Sequence, residues 1–191
     1  MPPAAGHYRL QVDFEAHTLK GHAEWTVKLR DANVTAVVLD TKSLDISMIT
    51  IGGTLATYSL GEAHEAFGQA LTVDVPQEAR AAKEFKLYIA YSTTPQSSAI
   101  QWLAKELTAG QQHPYLFTQC EAIHARALLP CQDTPSAKFS YDAAVTVPSW
   151  ATALMSAVGK GGKRKAGGDS STFYFEQATL RVACGMWRVA G

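Results

Sequence analysis

Neither sign of charge is in surplus: Lys and Arg total 17, and so do Asp and Glu. A chain balanced in this way lacks the basic footprint that draws proteins to nucleic acid or to an anionic membrane surface. Apolar runs are short, and none approaches the ~18 residues that a membrane-spanning helix needs. Cysteine is scarce. Cys120, Cys131 and Cys184 form an odd set in a chain of 191 residues, large enough to build a core without staples. A disulfide scaffold is thereby excluded, and reduced thiols are the economical reading. The opening Met1-Pro2-Pro3-Ala4-Ala5-Gly6-His7-Tyr8 has no charged segment leading into an apolar one. The expectation is a cytoplasmic protein without a secretory leader, in which the sequon Asn33-Val34-Thr35 stays unused.

Several catalytic signatures are missing as well. Neither Gly-x-Gly-x-x-Gly nor the phosphate-cradling Gly-x-x-x-x-Gly-Lys-Ser/Thr occurs, so no nucleotide site is suggested. No Gly-x-Ser-x-Gly elbow points to a serine hydrolase. His64-Glu65-Ala66-Phe67-Gly68 begins like a zinc helix but lacks the second imidazole one turn later, which leaves His64 a surface histidine. His17 and His22 flank a turn, with no Cys or carboxylate pair to complete a metal site. Cys120, His124 and Cys131 lack the paired knuckle spacing of a zinc ribbon; buried thiols acting as small apolar side chains fit them better.

What the chain does have is alternation. Leu10, Val12 and Phe14 alternate with Gln11 and Asp13; Trp25, Val27 and Leu29 alternate with Thr26 and Lys28. Leu71 to Val75, Phe85 to Tyr91 and Phe139 to Val147 repeat the pattern. A period of two buries one face of a strand and wets the other. Turn signals separate the runs at Leu19-Lys20-Gly21, Gly52-Gly53, Pro76-Gln77 and Thr94-Pro95. The fold class is all-β, an antiparallel sandwich or curved open sheet with little helix. Glu62 to Gln69 reads as a short helical turn, and Trp150 to Val158 suits either a helix or a strand. Residues 1–158 read as one β domain and 159–171 as a flexible Gly/Lys/Ser loop. Residues 172–191 read as a last strand followed by a tail of unfamiliar sequence. Lys163-Arg164-Lys165 in the loop is too short a basic cluster to mark a nucleic-acid site.

One stretch carries chemistry. It reads Thr94-Pro95-Gln96-Ser97-Ser98-Ala99-Ile100-Gln101-Trp102-Leu103, then His113-Pro114-Tyr115-Leu116-Phe117-Thr118-Gln119-Cys120-Glu121-Ala122, continuing through Ala125-Arg126 to Pro130-Cys131-Gln132-Asp133. This pattern resembles the amino-terminal domain of the leukotriene A4 hydrolase branch of the zinc aminopeptidases. Val12-Asp13-Phe14 and Val38-Leu39-Asp40-Thr41 fit the same template upstream, so the resemblance runs from about Tyr8 to Val158, with Phe173 to Gln177 added.

The resemblance implies a saddle-like β domain leaning on a separate zinc-binding catalytic domain, with zinc in the full-length protein and none in this chain. It implies that Glu121, with Gln119 and Ala122 beside it, holds the free amino terminus of a peptide substrate; a carboxylate at the closed end of a cleft pairs with an ammonium. Read without the resemblance, Glu121 is an ordinary exposed carboxylate at a strand end. Vertebrate leukotriene A4 hydrolases carry glutamine at this position, so Glu121 favours peptide amines over lipid epoxides. The zinc helix and catalytic tyrosine of the family are absent, and the tail from Ala178 to Gly191 departs from the family pattern. The chain alone is therefore expected to be inactive, a truncated or frame-shifted product without its catalytic domain. The rival expectation is a non-catalytic β module, a truncated paralogue that binds protein or peptide.

Overall fold

The computed structural model describes residues 5–31, 33–164, 168–182 and 187–190. The alternating runs become strands: β1 Ala5–Asp13, β2 Thr18–Lys28, β3 Ala36–Thr41, β4 Leu44–Ile51, β5 Thr54–Leu55, β6 Tyr58–Leu60 and β7 Gln69–Asp74. A short helix, α1 Gln77–Ala82, leads into β8 Glu84–Thr93, β9 Ile100–Leu103 and β10 Tyr115–Thr118. Then come β11 Lys138–Pro148, β12 Thr152–Met155, β13 Val158–Arg164, β14 Ser170–Val182 and β15 Trp187–Ala190. Two 3-10 turns, Lys105–Leu107 and Ala125–Ala127, complete the described elements. The all-β expectation holds.

The strands form three sheets. The largest has the order β13-β14-β11-β1-β2-β8-β4-β5, a second has β12-β15-β10-β9, and a third has β3-β7-β6. β1 and β11 run parallel, with Tyr8 beside Ala143 and Leu10 beside Val145, so the large sheet is mixed rather than wholly antiparallel. A parallel pair needs a long crossover, and the whole chain from β2 to β10 lies between these two strands. One apolar core joins the sheets through Tyr8, Leu19, Trp25, Leu39, Leu71, Leu87, Leu116, Phe139 and Val189. Trp25 sits at its centre, edge-on to Phe139 at 4.9 Å, with its indole N–H donating to the Pro130 carbonyl at 3.1 Å. Each such large side chain contributes ~1.5–3 kcal/mol through removal from water.

Three local expectations are corrected and one open alternative is settled. Pro76-Gln77, read as a turn, opens helix α1, because the fixed φ of Pro76 (−67°) suits a helix entry and Lys83 closes it with φ 60°. Residues 62–69 form no helical turn; His64 and Gly68 pair across a tight loop, where His64 Nδ1 accepts the N–H groups of Ala66 and Phe67. Trp150 to Val158 resolves in favour of strand, as β12 and the start of β13. Of the loop reading of 159–171, positions 159–164 instead belong to edge strand β13, which pairs with β14, and Lys160 meets Glu176 at 2.7 Å. Its glycines permit this: Gly161 has φ +89°, and Gly162 lies where a Cβ would meet the Phe173 ring at 3.0 Å. Lys165 and Cys184 lie outside the described residues.

Candidate functional site

The two motif-bearing runs meet as neighbouring strands. β9 and β10 pair with Leu103 against Tyr115, Trp102 against Leu116, Gln101 against Phe117 and Ile100 against Thr118. Beyond the strand, Gln119 N–H donates to the Ala99 carbonyl at 2.9 Å and extends the pairing. Alternation then sorts the side chains. Leu116, Thr118 and Cys120 are buried, whereas Gln119, Glu121 and Ala122 are exposed. The Glu121 backbone N–H donates to Gln119 Oε1 at 3.1 Å, which holds the Gln119 side chain against the Glu121 backbone. The peptide between Glu121 and Ala122 is cis. Among the described residues the Glu121 carboxylate makes no ion pair, so it is available to a cation. The structure thus brings all three expected residues into one exposed segment.

Shortly after that segment in the chain comes a buried polar clamp. Arg126 N–H and Nε both donate to Asp133 Oδ2, at 3.1 and 3.0 Å, and Nη2 donates to the Asp133 carbonyl at 3.2 Å. Nη1 donates to the Phe67 carbonyl at 2.8 Å and lies 3.5 Å from Asp40 Oδ1. Asp133 N–H in turn donates to Asp40 Oδ2 at 2.9 Å, while Asp40 and Cys131 exchange backbone bonds at 2.7 and 3.2 Å. A buried guanidinium needs this degree of satisfaction, because an unpaired buried charge is strongly unfavourable. Ser97 Oγ donates to the Ala127 carbonyl at 2.6 Å, and Ser98 Oγ bonds His124 Nδ1 at 2.8 Å. β3, the loop before β7, the loop before β9 and the residues around the 3-10 turn Ala125–Ala127 are therefore fastened to one another. In the sequence Arg126 and Asp133 stand only as parts of a longer pattern; their opposite charges seven residues apart are the signal for joint burial.

Burial first, then the negative charges of Asp133 and Asp40, push the Cys131 thiol well above its ordinary range, with Arg126 opposing. Cys131 stays protonated and packs as a small apolar group beside the clamp, as buried Cys120 also packs. His17 stacks on Trp102 at 5.1 Å, and His22 lies against Tyr88 at 4.7 Å, so these two histidines are engaged by different rings. Among the described residues no three His, Cys, Asp or Glu side chains are grouped as a metal site requires.

The sequence profile of the Peptidase M1 N-terminal domain matches residues 4–181. The chain belongs to the M1 peptidase family. It is 43% identical over 155 residues to the leukotriene A-4 hydrolase of Xenopus laevis, a match that covers 81% of this chain and 26% of that protein. It is 41% identical over 133 residues to leucine aminopeptidase 2 of Yarrowia lipolytica, covering 70% of this chain and 20% of that one. The leukotriene A4 hydrolase structure from Saccharomyces cerevisiae superposes with a TM-score of 0.83 at 28% identity, over 98% of this chain and 29% of that one. This M1 domain thus spans about a quarter of the length of the relatives it matches.

Proposed function

We propose that this M1 domain is the substrate-recognition part of a cytoplasmic zinc aminopeptidase of the leukotriene A4 hydrolase branch, which removes amino-terminal residues from peptides. Glu121 receives the substrate ammonium, Gln119 holds the Glu121 backbone, and Ala122 forms the adjoining wall. The observation that supports this reading is an exposed Glu121 carboxylate, without an ion pair among the described residues, five residues ahead of Arg126, whose buried pair with Asp133 holds the following 3-10 turn. A backbone that presents such a carboxylate is best held before substrate arrives, since ordering it afterwards consumes binding energy. Zinc and the peptide-cleaving chemistry belong to the catalytic domain, which supplies the remaining walls of the cleft.

The test places Glu121→Gln in the complete enzyme. The charge-assisted contact exists only when an ammonium is present, and its loss removes ~1.5–3 kcal/mol. Peptides with a free amino terminus should lose about ten- to a hundred-fold in kcat/KM, while amino-blocked substrates and the melting midpoint should change little. Equal losses on both substrate types, or a loss matched by a large fall in melting midpoint, would make Glu121 a structural residue.

The second reading, a non-catalytic module that binds protein or peptide, is supported by β15. This tail strand lies between β10 and β12, with Val189 buried against Leu116 and Ala153, and so closes the second sheet from within the chain.

A further inference from the structure

The outer sheets enclose an apolar pocket of about 120 Å3, lined at its base by Trp25, Val27, Leu39 and Leu87. These four side chains are buried, and they come from two layers: β2 and β8 of the large sheet, and β3 of the three-stranded one. The rim is formed by Val34, Ala36, Val38 and Gln132. No charged residue lines it. The deepest polar atom, the Trp25 indole N–H, is already committed to the Pro130 carbonyl at 3.1 Å. At the rim, Gln132 Nε2 is turned onto the Val38 carbonyl at 3.4 Å.

We propose that this pocket is a binding site for a small neutral apolar ligand of about one aromatic ring or one branched alkyl group. Three features support this. The volume is close to that of apolar protein cavities of about 150 Å3 that stay dry and take up benzene. A water at the base would find no free donor or acceptor among the side chains there, whereas an apolar ring gains contacts with every wall. Gln132 at the mouth offers a carboxamide to a ligand's polar edge, and the absence of a charged lining disfavours carboxylates and amines. The occupant bears on β3, the strand whose Asp40 is bonded to Cys131 and approached by Arg126. The site is independent of the Glu121 reading.

The probe is benzene, added to the full chain and followed by calorimetry and by methyl NOEs. Saturable binding is expected, with ligand NOEs to the methyls of Val27, Leu39 and Leu87 and a raised melting midpoint. Benzoate, similar in shape but charged, should not bind. Val37→Phe enlarges a pocket-lining side chain that shares the strand parity of buried Leu39 and should weaken benzene at least about tenfold, and its cooperative melt would show that the fold is kept. If that variant fails to fold, the NOE pattern in the unaltered chain still decides the location. Absence of saturable binding up to the solubility of benzene, NOEs to other methyls, or equal affinity in a folded Val37→Phe chain would overturn the proposal.

Discussion

At the scale of single residues, charge placement separates the functional surface from its support. Arg126 and Asp133 are both almost wholly buried and satisfy each other through three hydrogen bonds. Removing Asp133 strips the buried Arg126 of its closest carboxylate and leaves it only the longer 3.5 Å approach to Asp40, a loss toward the lower end of the ~3–5 kcal/mol for a broken buried pair. Asp133→Ala should therefore lower the thermal midpoint by on the order of 10 °C in a domain of this size, and denaturant melts would read the same loss. A change under a few degrees would show that the clamp is not structurally important. His22 supplies a pH signature. Burial first, then the Arg9 charge across the strand, lower its pKa from the ordinary 6.5, with Glu24 partly opposing. The unfolded chain then takes up this proton at a higher pH than the folded one, so stability from His22 is complete above 6.5 and falls as pH drops below it. Urea midpoints should rise between about pH 5 and pH 7, and His22→Gln should flatten that part of the profile. Asp142 acts lower on the scale: burial would raise its pKa, but hydrogen bonds from Arg9 and His7 together outweigh it and lower the value below 3.8.

At the scale of elements, two glycines at positive φ separate backbone strain from steric conflict. Gly68 has φ +73°, and a Cβ there would meet the Thr41 carbonyl oxygen at 2.1 Å. Gly53 has φ +88° in a hairpin tip, with nothing within 4 Å. Gly53→Ala should destabilise by only ~1–2 kcal/mol, the strain of the left-handed region. Gly68→Ala adds a backbone clash beside the carbonyl of Phe67 that Arg126 holds, and should lose ~2–4 kcal/mol. Parallel urea melts measure both, and equal losses would show that the Thr41 contact relaxes freely. Strand β15 shows how composition misleads at this scale. Its tail is unfamiliar as sequence, yet Val189 fits between Leu116 and Ala153 because a sheet asks only for alternation and a buried small or branched side chain.

For the whole molecule, the relevant quantity is surface left without a covering. Leu55, Phe67, Leu107, Leu154 and Val158 are each more than half exposed, and β13, β5, β12 and β9 stand at sheet edges. Apolar side chains beside unpaired strand edges favour association. The chain by itself should form concentration-dependent oligomers in sedimentation velocity, and added zinc should give it no activity on amino-acid anilides. A sharply monomeric species at high concentration would favour the self-contained binding module; metal-dependent turnover would overturn the division of labour between domains.

The strands were legible because their alternation is local: a residue's face is fixed by its parity, so Trp25, Leu87 and Phe139 announced themselves as core. The motif run likewise placed Gln119, Glu121 and Ala122 together, since adjacent positions at a strand end stay adjacent in any fold. Where glycine and lysine replace apolar residues, as in β13, the strand exists only because β14 pairs with it, and no local pattern records that partner. The parallel union of β1 with β11, the convergence of Asp40, Phe67, Arg126 and Asp133 on one buried network, and the pocket between the layers all join residues far apart in the chain. The sequence by itself determined which side chains seek the interior; the tertiary structure alone decided which distant ones meet there, because burial and charge pairing are satisfied between elements rather than within them.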